Sequence, residues 1–321
     1  MRARFTAFAV VASATLVCAF TMPAVPAMAA ESIPCQVNGV DTLGTHVGNR
    51  AIIEGTDGND IIKCHAGDNN DGEEPITVNA GAGEDDVYFG GVYGPDLKGE
   101  VDIVNLGAGN DKFLSYDSVR PANYGIINGD DGDDAITLGV AGYIDYAVAN
   151  AAEVHGGNGN DTLIFYGGYG GPYLDQVSEA NNALGVVTGD AGDDIITLHA
   201  GRSGVAPCGD IANVGLVDGG DGKDAITLIG GEPDARTCFD EGGSANGIDI
   251  NNLNKWGVVT GGKGMDKITL TGGVNKGNNK QGPSNEQDST VDGGGPGEDG
   301  ATCIFTPAPQ EGSIVRNCTI A

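Results

Sequence analysis

The sequence predicts an all-β fold, a right-handed parallel β-roll or β-helix solenoid of about nine coils, and three observations carry that expectation. Nine times a glycine stands two residues before an aspartate that opens an apolar strand, at Gly58/Asp60, Gly83/Asp85, Gly109/Asp111, Gly132/Asp134, Gly159/Asp161, Gly192/Asp194, Gly222/Asp224, Gly264/Asp266 and Gly297/Asp299. An apolar residue follows each aspartate by two, from Ile62 and Val87 to Ala301, and another precedes it by seven in every unit but the last, where Asp292 interrupts. The aspartates recur every 23–42 residues, the range of solenoids and arrays, and 56 glycines among 321 residues argue against helices.

Residues 1–29 read as a secretory signal peptide. Arg2 and Arg4 open it, Phe5 to Thr21 is apolar, and Pro26-Ala27-Met28-Ala29 offers a small-residue cleavage site. The alternative is an N-terminal membrane anchor, but no second long apolar run follows. Removing the leader takes away two of the 16 basic residues, so the mature charge is 14 − 45 = −31 against −29 for the full chain. The expected protein is extracellular, with an N-terminal cap at 30–50, the solenoid at 51–305 and a C-terminal cap at 306–321.

The unit shows plainly in Gly185 to Leu198, GVVTGDAGDDIITL: a β-branched strand enters a glycine turn and a second strand leaves it. Before the turn, apolar Ile53, Val78, Val104, Ile127, Val154, Val187, Val217 and Val259 are each followed by a polar residue. After it the alternation resumes, as in Ile136-Thr137-Leu138, the pattern of half-buried strands. One such pair cannot bury its inner face, whereas stacked coils about 4.8 Å apart can, giving an elongated monomer on the order of 40 Å long. A β-propeller needs longer units, of about 40 residues per blade.

Cys18 leaves with the leader, and six cysteines remain. An even number in an exported chain points to disulfides, and repeat positions suggest the pairs. Cys208 and Cys238 each lie 14 residues after an aspartate, in successive units; Cys64 and Cys303 lie in the first and last units, near Cys35 and Cys318. The expected bonds are 35–64, 208–238 and 303–318.

The turns TDGND, GAGED, GAGND, DDGDD, GNGND, DAGDD, GDGKD, GKGMD and GPGED are rich in carboxylates and in glycines that let carbonyl oxygens converge. Stacked carboxylates repel, and a divalent cation between turns reverses that sign. Calcium takes six to eight hard oxygen ligands of these kinds. The units Gly156-Gly157-Asn158-Gly159-Asn160-Asp161-Thr162-Leu163-Ile164 and Gly219-Gly220-Asp221-Gly222-Lys223-Asp224-Ala225-Ile226-Thr227 resemble the glycine-rich nonapeptide of the RTX, or hemolysin-type, calcium-binding family. The resemblance implies a parallel β-roll binding calcium between successive turns. The nine aspartates named above are then carboxylate ligands, and Gly58, Gly83, Gly109, Gly132, Gly159, Gly192 and Gly222 contribute carbonyls. With one nonapeptide per unit, a single ladder offers up to eight inter-turn sites, weaker at the last three turns, where Lys223, Lys263, Met265 and Pro296 intrude. The alternative is a metal-free solenoid whose aspartates only cap turn backbone.

Sixteen basic residues against 45 acidic ones exclude a nucleic-acid patch and disfavour an anionic membrane surface. His46, His65, His155 and His199 occupy unrelated repeat positions, as do Arg120, Arg202 and Arg236, and no Ser-His-Asp order, HExxH or P-loop occurs. The expectation is therefore no enzyme, with a polysaccharide lyase or epimerase as the catalytic alternative. A further alternative is a calcium-dependent adhesin for glycan or matrix, using the outward Thr137, Thr197, Thr227 and Thr269 or the loop tyrosines Tyr143, Tyr146, Tyr166, Tyr169 and Tyr173. The threonines also invite an ice-binding reading, although Lys63, Leu114 and Ile164 interrupt their ladder.

Overall fold

The computed structural model describes residues 35–64, 75–90, 101–115, 123–139, 148–170, 179–203, 210–232, 244–245, 257–275, 279–294 and 300–321. These form an all-β, solenoid-like fold without helices. Strands leaving the turns, from Ile61–Cys64 to Ala301–Thr306, pair in sequence order and in parallel within a 12-stranded sheet. Strands entering the turns, from Arg50–Thr56 to Thr290–Asp292, do the same within an 11-stranded sheet. A three-stranded sheet of Val148–Asn150, Glu179–Asn181 and Ile211–Asn213 stands apart from both.

The strand alternation read from sequence is the alternation of burial. Val187 pairs with Val217 and Ile196 with Ile226, and all four are fully buried. One continuous core runs from Cys35 to Cys303. Each complete burial of a Val, Ile, Leu or Phe side chain is worth about 2 kcal/mol, so stacking supplies what one strand pair cannot.

The ninth unit is in a different register from the one its motif implies. Val291 pairs with Val259, Asp292 with Thr260, and Cys303 with Ile268. Ala301 therefore stands level with Asp266, and Cys303 takes the core position expected for Ala301. Ten residues separate Val291 from Ala301 where seven separate Val259 from Asp266, so this turn is three residues longer. The apparent break at Asp292 is the same shift, for Asp292 belongs to the outward polar row. Asp299 itself lies outside the described residues, two positions short of the ladder register.

Both ends are closed by short strands. At the start, Cys35–Val37 and Val40–Thr42 form a hairpin over Asn38 and Gly39, which have φ of 53° and 77°, and the first strand lies antiparallel on Ile61–Cys64. Cys35 faces Cys64 across that pair and is disulfide-bonded to it, with 4.2 Å between Cα atoms. At the end, Ile314–Arg316 and Cys318–Ile320 extend the two large sheets, and Cys303 is bonded to Cys318. The pair expected between Cys208 and Cys238 lies outside the described residues, as does the leader. Among the described residues no helix is long and apolar enough to cross a membrane.

Candidate metal centre: the aspartate ladder

The turns stack as closely as the strands. The N–H of Gly159 donates to the carbonyl of Ala191, and that of Gly192 to the carbonyl of Asp221, at 2.8 Å each. Gly192 has φ of 146°, and a Cβ placed there would lie 1.6 Å from the carbonyl oxygen of Gly159. Only glycine fits both requirements. Gly58 holds the same motif position in the first turn, yet a Cβ there meets nothing closer than Thr56 Oγ1 at 3.9 Å. Gly192→Ala is expected to cost at least about 3 kcal/mol, and Gly58→Ala less than about 0.5 kcal/mol, as read from urea denaturation midpoints. The carbonyl oxygens of Gly83, Gly109, Gly132, Gly159, Gly192 and Gly222 each abut the Cα of the motif glycine one turn on.

Eight aspartates form a continuous inward ladder. The backbone N–H of each donates to Oδ1 of the aspartate one turn on: Asp60 to Asp85, Asp85 to Asp111, and so through Asp134, Asp161, Asp194 and Asp224 to Asp266, at 2.7–3.0 Å. All eight residues are at most 2% exposed. The start of the ladder is closed by Asn38, whose side-chain amide donates to Asp60 Oδ1, while Asp60 Oδ2 accepts from Thr56 N–H. Farther along, Oδ2 of Asp85, Asp111, Asp134, Asp161, Asp194 and Asp224 is buried with no hydrogen-bond partner. Such an atom in an ionised carboxylate is costly unless a cation or a proton reaches it.

From Asp134 to Asp224, a glycine five residues before the aspartate lets these oxygens close on its Cα. A Cβ on Gly189 would lie 2.3 Å from both Asp194 Oδ2 and the carbonyl oxygen of Gly219. On Gly156 the corresponding distances, to Asp161 Oδ2 and the Gly189 oxygen, are both 2.6 Å; on Gly219, to Asp224 Oδ2 and the Gly261 oxygen, both 2.5 Å. A carboxylate oxygen and a carbonyl oxygen of the next turn thus converge repeatedly where no side chain stands. Hard oxygen donors with an uncompensated buried charge fit calcium. Among the described residues no three His, Cys, Asp or Glu side chains group to hold a metal, so an ion here draws on carbonyls as well.

The electrostatics agree. Burial pushes Asp134 and Asp194 up to about 7 and Asp111, Asp161 and Asp224 up to about 6; a backbone N–H bond opposes this, and neighbouring aspartates add to it. Asp85 is raised for the same reasons.

Two further ladders surround this one. Asn59, Asn110, Asp133, Asn160 and Asp193, each one residue before a ladder aspartate, accept from the backbone N–H one turn on, on the exposed side. Asn123, Asn150, Asn181 and Asn213 form a fully buried amide ladder, each Nδ2 donating to the next Oδ1 at 2.8–2.9 Å. Sequence reading missed the second, and its only trace is an asparagine 11 or 13 residues before a ladder aspartate.

His155 stands in the outward polar row beside Thr188 and Asp190, His199 stacks on Tyr166 with centroids 5.0 Å apart, and His46 is exposed in Thr45–Val47. His65, Arg120 and Arg236 lie outside the described residues. No family model, curated protein sequence or solved structure matches this chain.

Proposed function

We propose that this chain is a secreted, calcium-binding, non-enzymatic protein of the RTX-like kind, a right-handed parallel solenoid of about nine coils. The observation that carries the reading is the file of buried Oδ2 atoms without partners, those of Asp134, Asp161, Asp194 and Asp224 each converging with a carbonyl oxygen of the next turn on a glycine Cα. The residues that would hold the ion are Asp134, Asp161, Asp194 and Asp224 through Oδ2, with the carbonyls of Gly156, Gly189, Gly219 and Gly261 beside them. Calcium supplies the positive charge that the buried carboxylates lack. The rest of the chemistry is the chain's own: Oδ1 orients each carboxylate against the neighbouring turn, and the close glycine packing excludes water. The apolar leader and the disulfides Cys35–Cys64 and Cys303–Cys318 support export. Equilibrium dialysis of the chelator-treated mature protein tests the reading. Several calcium ions retained per chain at pH 7.4 support it, and none retained overturns it.

One observation favours adhesion as a second role. Between Lys112 and Lys267 the outer face of the 12-stranded sheet shows only uncharged side chains at paired positions, among them Ala135, Thr137, Ile164, Thr197 and Thr227. On so acidic a molecule this strip suits a neutral glycan. Retention on immobilised neutral polysaccharide, lost on Thr197→Lys, is the expected result.

A further inference from the structure

The aspartate ladder is uniform in its hydrogen bonds but not in what stands behind each carboxylate. We propose that cations occupy only the glycine-backed run from Asp134 to Asp266, and that the turns of Asp60, Asp85 and Asp111 fold without any. The protein is then a preformed N-terminal template onto which the rest is zipped by calcium. This rests on the calcium reading above.

Three differences mark the boundary. Asp60 is also backed by a glycine, Gly55, but both its carboxylate oxygens have N–H donors, from Asn38 and Thr56, so neither is unpartnered as Oδ2 is farther along. Behind Asp85 and Asp111 the position five residues earlier is Ala80 and Leu106, both fully buried, so a side chain stands where later turns have none. From Asp134 on that position is always glycine: Gly129, Gly156, Gly189, Gly219 and Gly261. The far limit is the register shift, because Ala301 replaces the next carboxylate.

What replaces the cation at the start is apolar packing and covalent closure. Phe89 and Phe113 stack with centroids 6.5 Å apart, both buried in the core that also holds Ile76 and Leu106. Cys35–Cys64 ties the first strands together. In repeat architectures each unit leans on its neighbour, so a segment stable alone sets the direction in which the others order. In the later turns a glycine lets the buried carboxylate and the next carbonyl oxygen close together with no side chain between them, and these turns order only when that charge is met.

The test combines hydrogen–deuterium exchange with calcium stoichiometry. In the chelator-treated mature protein, strand amides at 51–64, 76–89 and 103–115 keep their protection, while those at 126–138, 153–166, 186–199, 216–229 and 258–271 exchange at least about 100-fold faster than with calcium present, the factor a ligand at 100 times its Kd confers. Asp194→Asn keeps the Oδ1 acceptor for Asp161 and removes the charge, so it lowers calcium bound in equilibrium dialysis by one ion or more. Asp111→Asn leaves the stoichiometry unchanged. Equal loss of protection along the whole chain overturns the proposal, and so does an Asp111→Asn protein that loses as much calcium as Asp194→Asn. Should Asp194→Asn fail to fold, the exchange pattern of the natural protein still decides. A natural protein that takes up no calcium brings down the functional reading itself; one that takes it up but exchanges evenly brings down only the boundary.

Discussion

Chelation lowers the melting temperature of the mature protein at pH 7.4 by about 20 °C. Four inter-turn intervals separate Asp134 from Asp266, and in each a carboxylate and a carbonyl oxygen converge on a glycine. A site held at 100 times its Kd stabilises by about 2.7 kcal/mol, so four together contribute on the order of 11 kcal/mol. For a domain of this size 1 kcal/mol corresponds to about 2 °C. Magnesium restores little of the loss, since it demands near-octahedral geometry and keeps its water. Calorimetric scans with calcium, with chelator and with magnesium give the three values. Identical scans in all three contradict the expectation.

The metal-free protein becomes less stable as pH rises from about 4 to 8, the reverse of ordinary acid denaturation. Burial lifts Asp134 and Asp194 to about 7 and Asp111, Asp161 and Asp224 to about 6, while the same groups in the unfolded chain titrate near their ordinary value of 3.8. Across this window the folded state holds more protons than the unfolded one, so the stability these groups contribute is complete below about pH 4 and is lost as pH passes through the folded values. Each pKa unit corresponds to about 1.4 kcal/mol per group. With calcium the slope reverses, because protons compete with the ion for the same oxygens. Melting temperatures between pH 4 and 8, with and without chelator, give two curves of opposite slope; parallel curves contradict the prediction.

Much of this architecture was legible because its period is written in side-chain type. Glycine two before aspartate, valine or isoleucine seven before and an apolar residue two after are requirements of one stacked turn, and Val187, Asp194 and Ile196 are all buried as that pattern implies. The terminal disulfides were legible from the same frame. The ninth unit misled because Gly297 and Asp299 repeat the motif inside a longer turn, and register is fixed by strand pairing, not by motif count. Ala80 and Leu106 were unremarkable in sequence, since an inward apolar residue in a strand is ordinary until later units are seen to carry glycine at the same position. The Asn123–Asn213 ladder escaped because it runs through only four units and lies ahead of the strand–turn–strand pattern, 11 or 13 residues before the aspartate.

The most direct test of the central claim is a crystal structure of the mature protein grown with calcium. Ions are expected within 2.3–2.6 Å of Oδ2 of Asp161, Asp194 and Asp224, and beside the carbonyl oxygens of Gly189, Gly219 and Gly261. A map at saturating calcium in which those oxygens meet only protein or water would contradict it.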